Sequence, residues 1–116
     1  MSVMYNIETQ KMDISMIRGD TFSFNVRFDN AVDSITAVYF TVRKKATDEE
    51  ILFQKSLTDG VTAITANEVY NVRIAPEDTE ELKAGSYDYD LEVQFGEDTY
   101  TPLIGKLKVE QDVTYE

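Results

Sequence analysis

The feature that most restricts the fold of this chain is a strict two-residue alternation of apolar and polar side chains. Across residues 21–29, Phe22, Phe24, Val26 and Phe28 alternate with Ser23, Asn25, Arg27 and Asp29. Successive side chains of a β-strand point to opposite faces, so a strand gathers the four apolar residues on one side, whereas a helix scatters them around its axis. The pattern returns across residues 86–96, where Tyr87, Tyr89, Leu91, Val93 and Phe95 alternate with Asp88, Asp90, Glu92 and Gln94.

Other segments repeat the theme. Residues 35–43 are rich in β-branched and aromatic side chains, with Val38, Phe40 and Val42 as the expected inner face. Residues 51–57 and 61–65 are shorter strand candidates. Residues 68–75 offer Tyr70, Val72 and Ile74 inward, and residues 100–110 offer Leu103, Gly105, Leu107 and Val109. Met12, Ile14 and Met16 suggest one more strand near the start. Pro102 cannot donate to a ladder and marks an edge or a bulge. Turn-forming residues separate the segments at Gly19, Asn30, Gly60, Asn67, Gly85 and Gly96. One helical turn is expected over residues 76–83: Pro76 suits the first helical position, acidic residues follow it, Leu82 packs inward, and Gly85 ends the turn. Together these elements predict a single all-β domain over residues 1–116, an immunoglobulin-like antiparallel sandwich of seven to nine strands.

Composition removes whole classes of chemistry. The chain of 116 residues has neither cysteine nor histidine. Disulfides, thiolate nucleophiles, Ser-His-Asp triads and Cys- or His-based metal sites are therefore excluded. A net charge of −11 opposes binding to nucleic acid and to anionic membranes. Residues 1–10 lack the apolar stretch of an export signal, and no run is long enough to span a bilayer, so a soluble product of the cytoplasm is expected.

Few constellations carry functional content. Leu82, Gly85 and Tyr87 stand where immunoglobulin-like sandwiches carry a corner tyrosine, whose hydroxyl bonds back to the preceding turn. Asp88, Asp90 and Glu92 form an acidic row, the one candidate for calcium. The preferred reading is a solvated face that discourages edge aggregation. A glycosidase pair is set aside, because an exposed convex face gives no desolvation to raise a carboxyl pKa. Arg18-Gly19-Asp20 spells the tripeptide that integrins read, but a turn into the Phe22 strand explains it. Arg43, Lys44 and Lys45 form the one basic cluster, balanced by Asp48, Glu49 and Glu50 or used head-to-tail against the Asp88 row. No catalytic residue and no cofactor is expected.

Several runs resemble small structural proteins of phages and prophages of Gram-positive bacteria. They are Ile17-Arg18-Gly19-Asp20-Thr21-Phe22-Ser23-Phe24, then residues 37–44, then Leu82, Gly85, Tyr87, Tyr89, Asp90 and Leu91, then residues 105–114. Their order and spacing are similar to the N-terminal domain of upper baseplate proteins from phages of lactic-acid bacteria. The resemblance implies a non-catalytic virion component of tail, neck or baseplate type, made in the bacterial host's cytoplasm and assembling with other tail proteins or with copies of itself. Residues 1–10, 51–57 and 111–116 are the candidate contact elements. The alternative is a carbohydrate- or ligand-binding module, for which Tyr5, Tyr39, Tyr70, Tyr100 and Tyr115 could supply stacking rings.

Overall fold

The computed structural model describes residues 9–28 and 34–114. Within them lie nine strands and one helical turn: β1 (Gln10–Lys11), β2 (Ile14–Ile17), β3 (Phe22–Arg27), β4 (Ile35–Arg43), β5 (Phe53–Leu57), β6 (Gly60–Thr65), β7 (Val69–Ile74), α1 (Pro76–Thr79), β8 (Gly85–Phe95) and β9 (Asp98–Glu110). The expected 29–30 turn, Val3, Tyr5, Ile7 and Tyr115 lie outside the described residues.

The strands form one hydrogen-bonded sheet in the order β1-β9-β8-β4-β5-β6-β7-β3, with β2 also on β9. The sheet folds over where β5 meets β6. There the pairing is parallel and confined to Ser56 with Gly60 and Leu57 with Val61. Thr58 and Gly60 take positive φ values of 67° and 99° at this corner. The result is two facing leaves, β2-β9-β8-β4-β5 and β6-β7-β3, an immunoglobulin-like β-sandwich. Edge-on ring contacts span the gap, Phe24 against Phe40 at 5.7 Å and Phe28 against Phe95 at 6.1 Å.

Alternation places the core as the sequence predicts. Tyr87, Tyr89, Leu91, Val93 and Phe95 are all buried, as are Val38, Phe40, Val42, Tyr70, Val72, Ile74, Leu107 and Val109. The bulge expected at Pro102 is present: Leu91 pairs with Leu103 but Val93 with Tyr100, so two residues of β9 oppose Glu92 alone.

Three expectations need correction. Met12 is exposed, and the first strand is broken at Met12-Asp13 into β1 and β2. Both pieces run parallel to β9, not antiparallel. The helical turn ends at Thr79, with Glu80 as its last helical-type residue, because Leu82 N–H has already closed a turn onto Thr79. Gly85 therefore does not terminate the helix; it opens β8 with φ 154°.

The break at Met12 has a visible cause. Met12 N–H bonds to Ile104 O at 2.9 Å, and the Tyr89 hydroxyl donates to Met12 O. This carries the Met12 backbone directly over Gly105, where an added Cβ would lie 2.0 Å from Met12 O. Gly105→Ala is expected to destabilise the fold by about 2–3 kcal/mol. It should lower the urea midpoint without changing the slope; a midpoint equal to wild type would mean that Met12 does not cross there.

Candidate functional site

Two surface features distinguish the molecule: the outer face of β8, which carries the acidic row, and the free edge of β3. Because β8 is paired on both sides, its outward residues are walled by those of β4 and β9. Asp88 stands between Arg43 and Lys106, and Asp90 between Thr41 and Ile104. Lys11, Asp13 and Ala46 complete a groove of about 370 Å³.

The face is therefore recessed, not convex, and Asp88, Asp90 and Glu92 are all half-buried. Nor does the row guard an edge, since β8 is central. Burial pushes the Asp90 carboxyl above its ordinary value, and Glu92 adds to the rise while Arg43 opposes it. Asp88 moves the other way. Its Oδ1 accepts from Lys106 Nζ at 2.5 Å and its Oδ2 from Ala46 N–H at 2.7 Å, which holds its carboxyl below the usual value. Each oxygen of Asp88 is thus already engaged by a donor. Among the described residues no three acidic side chains converge on a point that could hold a metal ion. Tyr89, beneath the groove, is pushed up to about 12 by burial, with the Asp13 charge adding to it, so its phenol stays protonated and donates to Met12.

Of the basic cluster, Arg43 lies beside this row on the same face. Arg43 is the cross-strand partner of Asp88. Its guanidinium clasps the following loop through the carbonyls of Asp48 and Glu49 at 2.9 and 2.8 Å, not through their carboxylates. Lys44 Nζ sits 4.8 Å over the Tyr87 ring. Acid and base are thus neighbours within one molecule.

At the corner, Tyr87 donates its hydroxyl to Lys83 O, four residues back. Leu82 is half-buried against the core, and its carbonyl accepts from Arg18 at 3.1 Å. The Arg-Gly-Asp stretch is locked into the same corner. Arg18 Nε pairs with Asp112 at 2.9 Å, and Gly19 N–H donates to the buried Thr79 hydroxyl at 2.8 Å. Of the tyrosines proposed for sugar stacking, Tyr70 is buried with its hydroxyl accepting from Asn67 N–H, and Tyr39 and Tyr100 are half-buried.

The β3 edge was not legible in the sequence. β3 pairs with β7 over its whole length, from Phe22 with Ile74 to Arg27 with Val69. The next pair is tied by Phe28 N–H to Glu68 O at 2.7 Å. Backbone groups of alternate residues face opposite sides of an antiparallel strand. Phe22, Phe24 and Val26 therefore turn their amides to β7, and Ser23, Asn25 and Arg27 turn theirs outward. No other strand among the described residues meets that side. Phe22, Phe24 and Val26 are only half-buried, unlike the apolar residues of β8.

No protein-family model matches the chain, and no curated protein matches it significantly. Solved structures similar in fold include the endo-beta-1,4-mannanase from Thermotoga petrophila (TM-score 0.58, 12% identity, covering 86% of this chain and 18% of that one). A family 123 glycoside hydrolase from Clostridium perfringens is another (TM-score 0.55, 14% identity, 89% and 23%). A third is the extracellular domain of the voltage-gated sodium channel beta4 subunit (TM-score 0.51, 14% identity, 89% and 93%). The chain spans less than a quarter of either hydrolase. At these identities the likeness is one of fold alone.

Two measurements test this geometry. Tyr87→Phe leaves the Lys83 carbonyl without its donor and is expected to cost about 1 kcal/mol by denaturant unfolding. Asp90 and Asp88 should behave oppositely with pH. Asp90 binds its proton more tightly in the folded state, so it costs stability at neutral pH, and the cost fades as pH falls through its raised value towards 3.8. Asp88 stabilises above 3.8, and that stabilisation is lost as pH falls through its lowered value. Asp90→Asn should thus be more stable than wild type at neutral pH and Asp88→Asn less, both differences shrinking in acid. Parallel stability profiles for the two variants would contradict the groove environment.

Proposed function

We propose that this chain is a non-catalytic assembly module, a phage or prophage virion component of tail or baseplate type that binds neighbouring protein subunits. The observation that carries the reading is the open edge of β3. Exposed edges invite pairing with another chain, and proteins usually blunt them with proline, bulges or lysines. β3 has none of these: its register with β7 is unbroken, and its one charge, Arg27, is matched by Glu68 at 2.9 Å. An edge of this kind suits strand addition, in which main-chain bonds supply affinity and alternate side chains supply specificity. The virion part rests on the resemblance of residues 17–24, 37–44, 82–91 and 105–114 to baseplate proteins. Fold-level analogy adds a little: the beta4 extracellular domain, similar in fold, forms parallel homodimers.

The groove over Asp90 favours the second reading, a carbohydrate- or ligand-binding module, only weakly. The ring that lines the groove, Tyr89, is buried beneath it with its hydroxyl bonded to Met12 O, so it offers no open face for stacking.

Purified phage particles from the source bacterium test the leading reading. The chain should band with intact particles in a density gradient, and its gene should lie among tail genes. Particles free of the chain, together with flanking genes unrelated to phage, would overturn it.

A further inference from the structure

We infer that β3 is the seat of a two-fold interface, in which it pairs antiparallel with β3 of a second copy in a register centred on Asn25. This rests on the assembly reading above and names its surface and one partner. The outward groups belong to Ser23, Asn25 and Arg27, each with one N–H and one C=O on the open side. Antiparallel bonds run between directly opposed residues. Only a register that places Asn25 opposite Asn25 of the other copy, and Ser23 opposite Arg27, satisfies all three residues at once. A shift by one step in either direction leaves Ser23 or Arg27 facing a residue outside the edge set.

The same register suits the side chains. On the core-facing side it sets Phe24 opposite Val26 and Phe22 opposite Phe28, the aromatic and β-branched cross-strand pairs that stabilise sheets. Phe22, Phe24 and Val26 are the strand's half-buried residues, so pairing completes their burial, while Phe28 is buried already. On the outer side Ser23 meets Arg27, and no like charges are opposed. That matters in a chain of net charge −11. β3 carries no acidic residue and its arginine is paired with Glu68, so no two carboxylates of β3 are brought together along this edge. The contact is self-complementary and closes, as a two-fold interface must.

The residue on the symmetry axis gives a decisive test. Asn25 is exposed, and its backbone groups serve neither β7 nor the core. Its side chain accepts from Asn71 Nδ2 at 2.9 Å, a contact the fold can spare. Asn25→Glu places two negative charges face to face across the axis, and Asn25→Lys places two positive ones. Each variant alone should weaken self-association about fivefold relative to wild type in sedimentation velocity. An equimolar mixture should recover dimer at wild-type strength or better, and native mass spectrometry should show one copy of each variant per dimer. Circular dichroism identical to wild type checks that both variants fold. Dimers of undiminished strength in both variants would sink the β3 register while leaving assembly through another surface intact. A mixture that stays as weakly associated as its components overturns it too, as does a wild-type chain that remains monomeric up to millimolar concentration. Absence of the chain from phage particles bears on the virion reading alone.

Discussion

Strand β8 holds the molecule together. It is paired along both flanks, to β4 and to β9, and every second side chain from Tyr87 to Phe95 is buried. A slip of one residue in either pairing would exchange this apolar set for Asp88, Asp90, Glu92 and Gln94. Burying those carboxylates without partners costs several kcal/mol each. The register is therefore fixed by the penalty for the alternative as much as by the gain from the core. That gain amounts to about 1.5–3 kcal/mol for each large apolar side chain removed from water. The same parity decides the outer face. With the odd residues committed inward, the acids must stand in the trough between β4 and β9, where Asp88 finds Lys106 and Asp90 finds partial burial. The groove is a by-product of the core's register, and its charges are largely matched by the residues that form its walls.

Most of the fold was legible because alternation is a local signal. Phe22 to Phe28, Val38 to Val42, Tyr70 to Ile74 and Tyr87 to Phe95 each declare their inward faces without reference to any other segment. What was not legible depends on pairing across long sequence distances. Nothing near Met12 signals that its backbone passes over Gly105, ninety-three residues on, or that Tyr89 donates to its carbonyl; Gly105 reads as an ordinary interruption of an apolar face. The ion pair of Lys55 with Asp78, 2.6 Å long and mostly shielded from water, was equally invisible, since it joins β5 to the start of α1. Asp78 also accepts from Ala75 N–H, so one carboxylate caps the turn and anchors the strand. The acidic row was readable as a row. Its recessed setting was not, because the sequence shows that a strand has two faces but not that neighbours wall one of them. The opposed shifts of Asp88 and Asp90 follow from that setting alone.

The placement of the first strand explains why no strand among the described residues lies beside β3 on its outer side. β9 is the longest strand, Asp98 to Glu110, and without β1 and β2 its outer side would be a long unpaired edge. Parallel pairing from Gln10 to Ile17 covers Leu103, Ile104 and residues Leu107 to Glu110, with the Met12 crossover accommodated by the missing side chain at Gly105. The Arg18-Gly19-Asp20 turn then delivers the chain to β3 in the opposite leaf, with Arg18 anchored to Asp112 and Leu82. Among the described residues, the N-terminal strands lie on the larger edge and none lies on the shorter one, β3. A short edge bearing half-buried phenylalanines, a matched charge and an unbroken ladder on its other side is a poor surface to leave in water and a good one to place against another strand.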